Sequence, residues 1–118
     1  MKISMIADLL EAKVLCGEDH LDNEVHSACG SDMMSDVLAF VKDQAVLLTG
    51  LVNLQVVRTA EMMDMRCIVF VRGKKPADDV VEAAKEAGIV VLATPERMYP
   101  ACGKLYATGL MGGNVSAL

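Results

Sequence analysis

The chain has 118 residues, enough for one domain and too few for two independent cores. Hydrophobic residues make up 53% of it and aromatic residues only 3%, which excludes a disordered chain and requires an aliphatic core of Val, Leu, Ile, Ala and nine Met. The net charge of −5 argues against a binder of bare phosphate backbones, so no nucleic-acid partner is expected.

The first helix is expected just after Ser4, its candidate N-cap, with Ile6, Leu9 and Leu10 on its apolar face. A strand over 12–16 ends at Gly17, a polar acidic turn fills 18–24, and a second strand over 25–29 closes at Gly30. Ser31, Asp32 and Ser35 all suit an N-cap, and a short helix runs from Asp36 to near Asp43. The pattern then becomes regular. A nearly all-apolar strand over 45–49 stops at Gly50, and Asn53 caps a helix over 54–64. A strand over 67–71 leads into the loop Arg72-Gly73-Lys74-Lys75, and Pro76 precedes a helix over 77–87. A strand over 89–92 is followed by Thr94-Pro95-Glu96, which reads as an N-cap, a proline at the first helical position and an acid in the first turn. The last helix is expected to reach Tyr106 or Leu110, with Pro100 able to kink or shorten it. The tail over 111–118 shows neither period nor caps and is expected to be loose.

Three apolar strands separated by helical segments predict a βαβαβ core, covered on both faces because the strands lack polar alternation. The expected fold is a single three-layer α/β/α domain over 1–110 with a mostly parallel sheet. No apolar run is long enough to cross a bilayer and no segment reads as a signal peptide, so a cytoplasmic protein without membrane contact is expected.

In such a sheet, ligands meet the loops that leave the carboxyl ends of the strands. That places candidate ligand-binding residues at Thr49, Gly50 and Asn53, at Arg72, Gly73 and Lys74, and at Thr94. Hydroxyls, one amide and two cations beside helix N-termini suit a small anionic ligand. The plainer reading makes Asn53 and Thr94 caps and Lys74 a solvated charge. Residues 1–59 carry four basic and nine acidic side chains, whereas residues 60–118 carry seven of each, so an anion would favour the second half. Neither a G-x-G-x-x-G turn nor a Walker-type phosphate loop is present.

Other chemistry is thin. Asp32 and Asp36 share a helical face only if the helix begins before both, and no third ligand accompanies them. Cys16, His20, His26 and Cys29 have ligand side chains without the short knuckle spacing of a zinc site. Cys67 and Cys102 lie elsewhere, and buried thiols acting as small hydrophobes account for the set. No nucleophile and base are paired by any motif. No catalytic residue, metal site or cofactor is assigned.

Several strings in combination resemble the small stand-alone proteins of the DRTGG-domain family. They are Ala28-Cys29-Gly30-Ser31-Asp32-Met33-Met34-Ser35-Asp36-Val37-Leu38-Ala39, Leu47-Leu48-Thr49-Gly50-Leu51, Val56-Val57-Arg58-Thr59-Ala60-Glu61, Ile68-Val69-Phe70-Val71-Arg72-Gly73-Lys74-Lys75-Pro76, and Ala101-Cys102-Gly103. The resemblance covers the chain to about Leu110. It implies an α/β/α sandwich like the N-terminal domain of HPr kinase/phosphorylase, without that enzyme's kinase domain. It further implies a non-catalytic regulatory or scaffolding module, commonly homodimeric, with an accessory role beside a protein partner in a redox, hydrogenase or other metabolic complex. The contiguous string Asp-Arg-Thr-Gly-Gly is absent, and its nearest pieces are Thr49-Gly50 and Arg72-Gly73. The alternative reading is a small-molecule sensor that binds a nucleotide or phosphorylated metabolite at the strand-end loops.

Overall fold

Four short strands form the parallel part of the sheet: Ser27–Gly30 (β2), Ala45–Thr49 (β3), Cys67–Phe70 (β4) and Val90–Ala93 (β5). They pair in parallel in that order, with Leu47 opposite Ile68 and Ile68 opposite Val91. Lys13–Cys16 (β1) joins antiparallel at the edge of β5, so the five-stranded sheet is mixed and runs β1-β5-β4-β3-β2. The computed structural model describes residues 1–40 and 44–112.

Each strand-to-strand crossover advances one place in the same direction. A single handedness therefore puts the three connecting helices on one face. These are Met34–Phe40 (α2), Leu54–Met62 (α3) and Asp78–Glu86 (α4). Met34, Val37, Val56, Val57, Ala60, Val80 and Ala84 pack there against Leu47, Ile68, Phe70 and Val91. The other face is covered by Ile3–Leu9 (α1) and Met98–Ala107 (α5), whose Ile3, Ile6, Ala101 and Leu105 meet Val46, Leu48, Val69 and Leu92. Adjacent strand residues thus serve opposite cores. The result is the three-layer α/β/α arrangement. Phe70, Leu47, Leu48, Ile68 and Leu92 are wholly buried, and each such side chain contributes about 1.5–3 kcal/mol of transfer free energy.

Several element ends differ from expectation. The first helix starts at Ile3, so Ser4 lies inside it and caps nothing. The amides of Ile3 and Ser4 donate instead to the carbonyls of Asn23 and Leu21, which satisfy the helix end through the backbone. Helix α2 begins at Met34, placing Ser35 and Asp36 inside its first turn and Asp32 in the loop before it. Its expected end near Asp43 lies outside the described residues. Asn53 caps α3 as its position suggests, accepting from the Val56 amide at 3.3 Å.

Thr94 does not cap α5. Arg97 holds that position, Pro95 lies outside the helix, and the helix ends at Ala107. Pro100 sits in the first turn, where an amide would lack an intrahelical partner anyway.

Both sheet edges are protected. Strand β1 carries Lys13 and a register shift between Val14 and Cys16, two devices that discourage further pairing. Along β2, the Ala28 amide donates to the Met111 carbonyl at 2.9 Å. Met111 and Gly112 are the described part of the expected tail; residues 113–118 lie outside the described set.

Candidate functional site

Helices α4 and α5 leave neighbouring strands toward opposite faces. The connecting loops part between β4 and β5, where a crevice would open in an α/β sheet. Here that parting is stitched closed. The Arg72 amide donates to the Glu96 carbonyl at 2.7 Å, and the Gly73 amide donates to the Thr94 carbonyl at 3.0 Å. Reaching these bonds puts both Arg72 (φ 63°) and Gly73 (φ 67°) in the left-handed region. Glycine adopts that conformation freely, whereas a non-glycine residue there costs about 1–2 kcal/mol.

The Arg72 side chain turns the other way and lies over Gly50. A Cβ built at Gly50 would stand 2.7 Å from the Arg72 Cζ and 2.8 Å from its Nε, so the guanidinium occupies space that only glycine leaves open. At its end is Asp32, whose Oδ2 lies 3.5 Å from an Arg72 terminal nitrogen. The other carboxylate oxygen accepts two hydrogen bonds, from the Gly50 amide at 2.7 Å and from the Thr49 hydroxyl at 3.0 Å. Thr49 is fully buried, and its hydroxyl oxygen also accepts from the Leu51 amide at 3.1 Å, which sets the turn out of β3.

Thr49, Gly50 and Arg72 therefore do converge, as a set of anion-binding groups would. The anion they hold is the chain's own Asp32. By residue type Asp32 suits a helix N-cap or, beside Asp36, half of a metal pair, and the structure directs its carboxylate elsewhere. Its place directly after Gly30-Ser31, at the carboxyl end of an edge strand, was the available signal.

The remaining candidates have separate positions. The Asn53 side chain is engaged with its helix. Gly73 supplies the left-handed step of the turn, and Lys74 is exposed. Thr94 is 1% exposed, and its hydroxyl donates to the Leu10 carbonyl at 2.6 Å while accepting from the Glu96 amide at 3.2 Å. The Glu96 carboxylate pairs with Lys104 at 3.2 Å. Lys13, Lys74 and Lys75 stand at this same end of the sheet without a carboxylate partner among the described residues.

The thiols lie in two separate pairs, Cys29 near Cys102 and Cys16 near Cys67, and do not gather with the imidazoles into one site among the described residues. Cys16 is buried and its Sγ donates to the Ile89 carbonyl, while His20 sits in a short 3-10 turn at 3.8 Å from Asp19. Burial pushes the thiol pKa upward at Cys16, Cys29, Cys67 and Cys102. Protonated thiols are poor nucleophiles and poor ligands. Among the described residues, no three His, Cys, Asp or Glu side chains come together as a metal site, and no helix is long and apolar enough to cross a membrane.

No curated protein matches the chain. Among solved structures it is similar to the CBS and DRTGG domains of the regulatory region of a Clostridium perfringens pyrophosphatase, in a complex with the activator diadenosine tetraphosphate. The likeness has a TM-score of 0.70 at 17% identity and covers 88% of this chain but 45% of that one. The chain thus spans under half of that regulatory region, and the likeness is one of fold. The DRTGG domain model matches residues 5–107, nearly the whole described sequence, and the chain belongs to the DRTGG-domain family.

Proposed function

We propose that this chain is a non-catalytic regulatory module that responds to a nucleotide or another phosphorylated small molecule at the carboxyl end of its sheet. The carrying observation is the unpaired charge at that end. Lys13, Lys74 and Lys75 are exposed and lack carboxylate partners among the described residues, on a protein of net charge −5. Such local cations on an acidic protein attract anions of limited size rather than a long polyanion. The relative's complex with diadenosine tetraphosphate supports the same class of ligand, since it is a nucleotide. The Thr49 hydroxyl that donates to Asp32 is fully buried and so closed to a substrate, which favours binding over turnover.

A saturable rise in the melting temperature with nucleoside phosphates is the expected result. No shift across a nucleotide panel at millimolar concentration overturns the reading.

A contact role remains as a second reading because of α5. Tyr99 is 89% exposed and Tyr106 is 62% exposed, seven residues apart on one helix face, with Met111 exposed nearby in sequence. Unpartnered aromatic side chains in a chain with so few are suited to an interface, including a homodimer. Light scattering over a concentration series distinguishes this, and a strict monomer at high micromolar concentration removes the dimer. The redox-accessory expectation draws no support from the dispersed thiols and imidazoles.

A further inference from the structure

We propose that a nucleoside phosphate is seated in the groove between the edge strand β1 and helix α4, a site distinct from the Asp32–Arg72 contact. This deepens the ligand-binding reading above and rests on it. The groove has a volume of about 590 Å³, within the range of small-molecule sites.

Its position follows from the topology. Because β1 runs antiparallel to β5, its first residue, Lys13, lies opposite Ala93 at the carboxyl end of the parallel strands. The register shift after Val14 turns Leu15 and Cys16 toward the α4 side of the sheet, where Cys16 joins the core and Leu15 stays partly exposed. Leu15 and Val81 provide an apolar floor, while Lys13, Lys75, Asp78 and Glu82 line the walls. Asp78 and Glu82 are four residues apart on α4 and so share a face.

Two cations and two carboxylates line one space, yet none of the four is paired with another within ion-pair distance. Their charges are held apart and face a shared opening. A ligand that satisfies all of them has an anionic end, hydroxyl or amino donors, and a flat apolar body between. The phosphate would meet Lys13 and Lys75, the ribose hydroxyls or the amino group of the base would donate to Asp78 and Glu82, and the base would lie on Leu15 and Val81. Inorganic polyphosphate meets the lysines but also the two carboxylates. A nucleoside without phosphate leaves the lysines unused. The Asp32–Arg72 contact offers less, because its anion is already the protein's own carboxylate.

The test is calorimetric titration of the full chain with ATP, adenosine and inorganic tripolyphosphate, on wild type and on K13A/K75A, E82Q and R72A. Lys13, Lys75 and Glu82 are exposed and outside the ion pairs described above, so K13A/K75A and E82Q are expected to keep the wild-type melting temperature without ligand, while R72A lowers it slightly by losing its half-exposed contact to Asp32. ATP is expected to bind wild type at least about tenfold more tightly than either fragment, and K13A/K75A to lose at least about tenfold, the loss of charge-assisted contacts to phosphate. E82Q weakens ATP without changing tripolyphosphate, and R72A leaves ATP binding as in wild type. If ATP binds wild type and K13A/K75A equally while R72A abolishes binding, the groove is overturned and the broader reading survives. If wild type binds no nucleotide, the broader reading fails and takes the groove with it.

Discussion

Replacing Asp32 by alanine tests whether the strand-end cluster is held by its hydrogen bonds or by its ion pair. One carboxylate oxygen receives the Gly50 amide at 2.7 Å and the Thr49 hydroxyl at 3.0 Å, both partly buried. The other faces Arg72 at 3.5 Å, and both side chains of that pair are 47% exposed. Hydrogen bonds to a charged acceptor are worth about 1.5–3 kcal/mol each when shielded, with solvent access here favouring the low end. The half-exposed ion pair adds no more than about 1 kcal/mol. D32A is therefore expected to cost about 2–3 kcal/mol, mostly from the two hydrogen bonds. R72A costs under about 1 kcal/mol, the ion pair alone, because alanine holds the same left-handed backbone as arginine and the strain cancels. In urea, with a slope of about 1–2 kcal/mol/M for a domain this size, D32A lowers the midpoint by roughly 1–3 M. The double variant D32A/R72A completes the cycle, and its coupling term is expected below about 1 kcal/mol. If R72A proves as costly as D32A, or the coupling exceeds about 2 kcal/mol, the ion pair dominates and the reasoning is wrong.

The buried hydroxyl of Thr94 predicts that T94V loses about 2–3 kcal/mol, because valine leaves the Leu10 carbonyl and the Glu96 amide without their partner. Faster hydrogen exchange at Glu96 accompanies the loss, and a variant as stable as wild type contradicts the assignment. The thiol of Cys67 is wholly buried, and desolvation pushes its pKa above the ordinary 9.0, with the nearby Cys16 a lesser cause. Above pH 9 the unfolded chain releases this proton while the folded chain retains it. Stability contributed below that pH is then lost as pH rises, by about 1.4 kcal/mol per pH unit for one thiol. C67A is less stable at neutral pH, yet its alkaline decline between pH 9 and 10.5 should be shallower than that of wild type. Equal slopes in paired urea titrations argue against the linkage.

Much of the architecture was legible because local signals agreed. The runs around Leu47, Val69 and Val91 lack polar alternation, which only strands covered on both faces tolerate. Asn53 before an amphipathic segment carries its own capping geometry, and the structure bears it out. The misread ends share a physical cause. Ser4 and Thr94 are good caps by residue type, but backbone partners distant in the chain satisfied α1, and α5 starts at Met98, leaving the Thr94 hydroxyl to donate to a carbonyl 84 residues away and accept from Glu96 in the preceding turn. Such competition is decided by tertiary contacts that no local window contains.

The amino-acid sequence by itself determined an aliphatic core with strands alternating with helices, because burial period and turn residues are written locally. It also marked Thr49, Gly50 and Arg72 as groups able to surround an anion. Only the tertiary structure decided which anion they surround. Asp32 and Gly50 are 18 residues apart, and the parallel register of β2 on β3 brings their loops to the same end of the sheet. The antiparallel placement of β1 likewise brought Lys13 beside Lys75, two lysines separated by 62 positions that no spacing rule connects. Residue types set what a site can bind, and chain topology chose which of them share one.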